Sequence, residues 1–153
     1  MKVQPLTPII GAEVSGLDLC RLTDRQFDGL SDAFTEHSVL FFRDQDAMAP
    51  ADQVAFAKRF GPLHTHPAAP TLAEQDEIFV IHAHKDSKIA NGNGWHTDVS
   101  CDEEPPLATI LQMHLLPKTG GDTLFASMYA AYETLSETMK AFLLTLKAHH
   151  ESE

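Results

Sequence analysis

The side chains of this sequence that are best suited to chemistry are its histidines. Nine of the 153 residues are histidine. Two of them stand two positions before an aspartate, His84 before Asp86 and His96 before Asp98. Because an extended backbone sends residues i and i+2 to the same side, each triplet can present an imidazole and a carboxylate to one metal ion. Such triplets also arise by chance in a chain with this many His and Asp residues, so the spacing by itself does not predict a metal site.

The surrounding sequence favours the second triplet. His84 and Asp86 lie in a polar run before a loop, where a solvated histidine near a surface aspartate is expected. His96 and Asp98 follow Trp95 and a turn rich in Asn and Gly, which places them at a loop-to-strand junction beside an aromatic side chain. His96 and Asp98 are therefore the better candidates for a metal-binding pair.

A threonine further along the chain is a third candidate. Thr123 comes shortly after Gly120 and Gly121, a glycine pair that permits a tight turn. The hydroxyl of Thr123 is then expected at the start of a strand. Taken alone, this short motif is equally typical of an ordinary hairpin turn.

The composition restricts the classes of function. Lys and Arg number 11 against 22 Asp and Glu, which gives a formal net charge of −11. So acidic a surface repels phosphate backbones, and we expect no nucleic-acid partner, although a pocket of opposite local charge can still take a small anion. No segment has the length and hydrophobicity of a membrane span or a signal peptide. Two widely separated cysteines, Cys20 and Cys101, are typical of a reducing compartment, so we expect a cytoplasmic location and no membrane partner.

Local patterns predict a mixture of strands and helices. Helices are expected after the capping-box sequence at Thr23, after Pro50, and after the capping residues Ser127 and Ser136. A turn is expected over residues 11–16. Strands are expected over residues 3–10, 39–42, 78–81, 109–115 and 123–126. Periodicity alone leaves two architectures open, an α+β fold and a barrel-like sandwich.

Several longer strings of residues resemble one enzyme family. The strings are W-H-T-D-V at 95–99, E-P-P at 104–106, P-K-T-G-G-D-T-L at 117–124 and A-A-Y-E-T-L-S at 130–136, with further matches at 10–16, 41–45 and 60–67. Over nearly its whole length the sequence resembles the iron(II)- and 2-oxoglutarate-dependent dioxygenases of the taurine dioxygenase and 2,4-dichlorophenoxyacetate dioxygenase family.

The resemblance implies an α+β fold built on a double-stranded β-helix, a cupin-like jelly roll, with flanking helices. Residues 1–153 would form the N-terminal portion of a single domain of this kind. The family's third iron ligand, a histidine, and the arginine that pairs with 2-oxoglutarate lie far downstream of these motifs, and His149 and His150 match neither. We therefore expect an incomplete jelly roll that exposes apolar surface, is poorly stable and is inactive by itself.

The resemblance also implies roles for particular residues. His96 and Asp98 match two ligands of Fe²⁺, Thr123 matches the residue that hydrogen-bonds 2-oxoglutarate, and His66 matches the histidine that approaches the substrate. The implied reaction uses O₂ to hydroxylate a small anionic substrate while 2-oxoglutarate becomes succinate and CO₂. Hydroxylation beside a heteroatom gives an adduct that breaks down to an aldehyde and, from a sulfonate, sulfite. Homo-oligomerisation stays open.

Two positions differ from the pattern of the taurine enzymes. Ala69 stands where those enzymes have a tyrosine, and Gly92 stands where they have an amide. Without these polar groups a small zwitterion loses hydrogen bonds that would fix it. Another sulfonate, a sulfate ester or a carboxylate therefore fits the sequence as well as taurine does.

Two functions outside this class also stay open. One is a zinc- or nickel-binding module that uses His64, His66, His82 and His84. The other is a truncated, non-catalytic homologue that acts through contacts with other proteins.

Overall fold

The computed structural model describes residues 1–65, 71–72, 75–84, 86–87 and 94–151. In chain order the elements are β1 (Lys2–Pro5), β2 (Ala12–Ser15), a 3-10 turn (Leu19–Arg21), α1 (Asp24–His37), β3 (Leu40–Phe41), α2 (Pro50–Lys58), β4 (Thr71–Leu72), β5 (Gln75–Phe79), α3 (Met128–Glu133) and α4 (Glu137–Leu143). They fall into two compact units. The first unit comprises Met1–Ala47 and Met113–Lys147, and the second comprises Met48–Gln112 and Ala148–Glu153.

The first unit contains a three-stranded sheet in the order β1-β2-β3. β1 runs antiparallel to β2, and β2 runs parallel to β3, with Ala12 opposite Leu40. Ala12 and Val14 are fully buried, so one face of β2 belongs to the core. The prediction of a turn over residues 11–16 was wrong for residues 12–15, because strand partners on both sides take their backbone groups. The turns are confined to the two ends, where Gly11 and Gly16 have positive φ angles of 87° and 75°.

Helix α1 confirms the predicted capping box. The Thr23 hydroxyl accepts a hydrogen bond from the backbone N–H of Gln26, and the Gln26 side chain accepts one from the backbone N–H of Thr23. These two contacts satisfy backbone donors that the first helical turn leaves without partners. Leu30 and Ala33 are the buried residues of the helix, which therefore contributes to the core through its middle turns.

Helices α3 and α4 begin at the serines that the sequence predicts. Ser127 accepts from the backbone N–H of Ala130, and Ser136 accepts in the same way at the start of α4. Lys140 of α4 then connects the two helices, since its ammonium lies 3.1 Å from Glu133 and 3.2 Å from Glu137. The hydrogen bond with Glu133, followed by that with Glu137, raises the pKa of Lys140 above its ordinary value.

The second unit contains helix α2 and the antiparallel pair of strands β4 and β5. Pro50 begins α2, where its missing N–H costs no hydrogen bond, and Val54 and Phe56 are buried. α2 packs against β5. The predicted strand at 78–81 exists but lies earlier in the chain, at Gln75–Phe79, because the register with β4 pairs Leu72 with Gln75.

The strands predicted over residues 109–115 and 123–126 are absent from both sheets. In the first of these segments, hydrogen bonds to side-chain amides stand in place of strand pairing. Gln112 accepts from the backbone N–H of Met48 at 2.8 Å and donates to its carbonyl at 3.1 Å, so one side chain replaces a backbone pairing. Gln53 donates in addition to the carbonyl of Ile110. Within the described ranges the predicted α+β mixture is confirmed as small open sheets with helices, and a jelly roll is not assembled.

Much apolar surface is exposed after residue 106. The most exposed large apolar side chains there are Leu107, Leu115, Leu116, Leu124, Met128, Tyr129 and Leu144. Single exposed apolar residues are normal on a protein surface, but this segment has more of them than that. Its surface is therefore suited to association. Every described helix is too short or too polar to cross a bilayer.

This surface predicts strong binding of the dye anilinonaphthalene sulfonate (ANS) and a broad thermal transition. Replacing Leu115 or Leu144, which are 80% and 76% exposed, with Lys should lower ANS fluorescence and leave the far-UV circular dichroism unchanged. Leu30→Ala is the matched control, because it removes a side chain that is 1% exposed. It should cost about 2–5 kcal/mol and reduce the helical signal. A sharp cooperative melt of the original chain would contradict the prediction.

Candidate metal site

The imidazole of His96 is oriented by the backbone two residues before it. Its Nδ1 lies 2.8 Å from the carbonyl oxygen of Gly94. A carbonyl can only accept, so Nδ1 carries the proton and donates. In the neutral ring the lone pair is then on Nε2. Metal-binding histidines typically use their second ring nitrogen in this way, which fixes both tautomer and orientation.

The carboxylate of Asp98 faces that nitrogen. Its Oδ1 lies 3.2 Å from Nε2 of His96, and its Oδ2 accepts a hydrogen bond of 2.7 Å from the hydroxyl of Thr109. The threonine engages one oxygen and leaves the other directed at the imidazole. Asp98 begins a turn that continues to Cys101, so the pair lies in an extended segment followed by a turn rather than at the start of a strand.

The pair fits a divalent metal ion in its distances and in its chemistry. Two donor atoms that each lie about 2.1 Å from one ion and at right angles are about 3.0 Å apart, close to the observed separation. A neutral imidazole and an ionised carboxylate are the donors of the two-histidine, one-carboxylate sites that bind non-haem Fe²⁺. Either a proton on Nε2 or a metal ion satisfies the contact between this nitrogen and the carboxylate oxygen, and a metal ion that binds the pair takes the place of that proton.

The exposure of the pair supports a role in binding rather than in stability. The side chains of His96 and Asp98 are 56% and 49% exposed. Ion pairs at such exposure contribute about 0–1 kcal/mol to folding.

The other triplet folds differently. Nδ1 of His84 accepts from the backbone N–H of Asp86 at 3.2 Å, and the backbone N–H of His84 donates to the Ser87 hydroxyl. In this triplet the imidazole closes a local turn and is not paired with a carboxylate. The two triplets thus have identical spacing but different contacts. The imidazole of His96 faces the carboxylate of its own triplet, and this is the triplet that the sequence context favours.

The zinc-module alternative gains no support from the described residues. His82 and His84 are neighbours, with ring centroids 5.8 Å apart, and His64 is paired with Asp102. In the portions of the chain that the structure describes, no group of three or more His, Cys, Asp or Glu side chains could hold a metal ion. His66, the fourth member of the proposed set, lies outside those portions.

The remaining predicted site residues have different outcomes. Thr123 lies after the expected turn, in which Gly120 and Gly121 have φ angles of 75° and 77°, and its side chain is exposed. It belongs to the first unit, and its role stays a prediction. His66, Ala69 and Gly92 lie outside the described residues.

Sequence reasoning missed Thr109 as a functional side chain. Its segment reads as a strand, and its side chain lies eleven positions from Asp98. No fixed spacing identifies a hydroxyl residue that contacts such an aspartate, because the contact depends on how the intervening turn folds. Gly94 was likewise recognised only as part of a turn.

The chain is similar in sequence to the members of one protein family. Residues 2–153 match the family described as taurine catabolism dioxygenase TauD, TfdA family, and the chain belongs to that family. It is 39% identical to an alkylsulfatase of Acinetobacter baylyi in an alignment 154 residues long that covers 100% of this chain and 48% of the relative. It is 36% identical to an (S)-phenoxypropionate/alpha-ketoglutarate-dioxygenase of Sphingobium herbicidovorans, covering 97% of this chain and 52% of the relative.

A solved structure is similar as well. The crystal structure of a taurine dioxygenase from Burkholderia xenovorans superposes with a TM-score of 0.80 at 35% identity, over 93% of this chain and 50% of that one. The chain spans about half the length of the relatives it matches.

The site predicts which histidine meets a metal ion first. In a titration of the chain with Mn²⁺, the ring NMR signals of His96 should broaden at a lower concentration than those of His84. Of these two imidazoles, that of His96 faces a carboxylate and that of His84 does not. Asp98→Asn should remove this preference. Equal broadening of the two rings in the original chain would contradict the predicted site.

Proposed function

We propose that this chain provides part of the active site of an iron(II)- and 2-oxoglutarate-dependent dioxygenase. The observation that supports the proposal most directly is the 3.2 Å separation between Nε2 of His96 and Oδ1 of Asp98. Membership of the TauD, TfdA family and the dependence on alpha-ketoglutarate stated in the name of the Sphingobium herbicidovorans relative support the same chemistry.

In the proposed site His96 and Asp98 hold Fe²⁺. The Asp98 carboxylate offsets half the charge of the ion, and Thr109 keeps one carboxylate oxygen directed away from it. Thr123 donates its hydroxyl proton to a carboxylate oxygen of 2-oxoglutarate, and His66 approaches the anionic group of the substrate. Iron, 2-oxoglutarate and O₂ supply the oxidising power, while the protein binds, orients and limits access of water.

A complete site needs more than these residues. The two-histidine, one-carboxylate arrangement requires a second histidine, and a doubly charged keto acid requires a cationic partner. We propose that both come with the remainder of the family domain, which also completes the jelly roll. The 153-residue chain alone is then expected to be inactive.

The proposed substrate is a small organic anion. The relatives are named for alkyl sulfates, phenoxypropionate and taurine, which carry a sulfate, a carboxylate and a sulfonate. Ala69 and Gly92 lack the hydrogen-bonding groups that suit a small zwitterion. The proposal therefore includes sulfonates other than taurine, sulfate esters and carboxylates.

Loss of either ligand tests the proposed chemistry. In an active enzyme that contains this chain, His96→Ala and Asp98→Ala should each abolish succinate formation, since an open iron site then lacks one of its few anchors. His84→Ala is the matched control and should leave turnover unchanged, because that imidazole closes a local turn. Retained turnover in the first two variants would remove His96 and Asp98 as ligands.

Removal of the Thr123 hydroxyl tests the proposed contact with 2-oxoglutarate. Thr123→Ala should raise the KM for 2-oxoglutarate about tenfold, as expected for a lost hydrogen bond to a charged group worth about 1.5 kcal/mol. Thr123→Ser keeps the hydroxyl and should stay close to the original enzyme. A KM that is unaffected by the alanine variant would refute this role, and a change confined to the KM for the substrate would reassign it.

A further inference from the structure

A second histidine–carboxylate contact lies beside the candidate metal site. Nε2 of His64 is 3.0 Å from Oδ2 of Asp102, and His64 lies after helix α2, far from the turn in sequence. Its side chain is 26% exposed, against 56% for His96. A carboxylate only accepts, so Nε2 of His64 carries a proton and donates. We infer from the structure that this contact clamps the turn that carries Asp98, and that His64 and Asp102 are positioning residues for the metal ligand.

The turn itself needs such support. Val99, directly after Asp98, has a φ of 51°. For a β-branched residue this left-handed conformation is rare and strained, so it persists where surrounding contacts hold it. The backbone N–H of Asp102 closes the turn by donating to the carbonyl of Val99 at 3.2 Å.

The contacts form a continuous path from His64 to the ligand. His64 holds the side chain of Asp102, and the backbone of Asp102 holds the strained Val99. The carboxylate of Asp98 comes next and must reach both Nε2 of His96 and the hydroxyl of Thr109. If Val99 relaxes to an extended conformation, the chain leaves the Asp98–Cys101 turn, and Asp98 and Thr109 separate. The clamp thus acts on the metal through Asp98 without touching the metal itself.

The inference rests on the proposed function, because it needs the metal site at His96 and Asp98. The experiment measures the binding of Mn²⁺ to the 153-residue chain. The apparent Kd is the Mn²⁺ concentration that half-broadens the ring signals of His96. Asp102→Ala should raise this Kd about tenfold, the smaller of the effects typical of groups that support metal ligands. Asp102→Asn keeps an acceptor for His64 and should stay near the original value. Glu13→Ala, which breaks the ion pair with Arg43 in the first unit, is the matched control and should have no effect.

A second variant separates the clamp from general loss of structure. Glycine adopts a positive φ without penalty, so Val99→Gly relieves the strain that the clamp opposes. Combined with Asp102→Ala, it should restore the Kd to within about twofold of the original, an outcome that a merely destabilised protein would not give. Failure of this rescue would overturn the proposal.

The outcomes distinguish the clamp from the metal site it serves. If Asp98→Ala leaves this Kd unchanged, the proposed metal site is wrong. If that variant loses binding while Asp102→Ala does not, only the clamp is wrong. Loss of Mn²⁺ binding in Asp102→Asn as well as in Asp102→Ala would also overturn it, because the metal would then require the charge of Asp102 and not its contact with His64.

Discussion

The candidate site depends on one electrostatic arrangement, an imidazole nitrogen that faces a carboxylate oxygen. The Gly94 carbonyl accepts a hydrogen bond from Nδ1 of His96, so in the neutral ring the lone pair of Nε2 faces Asp98. Two electron-rich atoms 3.2 Å apart repel each other unless a positive charge lies between them. Gly94 contacts Nδ1 of the imidazole and Thr109 contacts Oδ2 of the carboxylate. They orient both groups and leave Nε2 and Oδ1 for an ion.

The predictable part of this fold is the part that short-range hydrogen bonds determine. The N-terminal ends of α1, α3 and α4 were predicted from Thr23, Ser127 and Ser136, because a capping hydroxyl meets a backbone N–H three residues later in every case. Strand β2 was missed, since its existence depends on β1 and β3. The predicted strand at 109–115 failed for the same reason, as a pattern of side chains cannot reveal whether a pairing partner is present.

The same distinction applies to the site. Spacing identified His96 with Asp98 and, equally, His84 with Asp86. In the first triplet a distant hydroxyl, that of Thr109, orients the carboxylate, whereas in the second a local backbone N–H occupies the imidazole. The two-residue spacing therefore makes the pair geometrically accessible, and contacts from outside the triplet decide whether it forms. Trp95 and the preceding Asn- and Gly-rich sequence favoured the triplet in which the structure places an imidazole against a carboxylate.

The groups that orient the two donor atoms, Gly94 and Thr109 directly and His64 through Asp102, all belong to one compact unit. A site whose geometry is fixed so locally can be kept while residues elsewhere change, because no strand pairing of the first unit is needed to hold it. Such independence accords with a family whose members are named for sulfate, carboxylate and sulfonate substrates. In the proposed function His96 and Asp98 supply what these reactions share, and the choice of anion falls to side chains outside this segment, of which His66 is the proposed example.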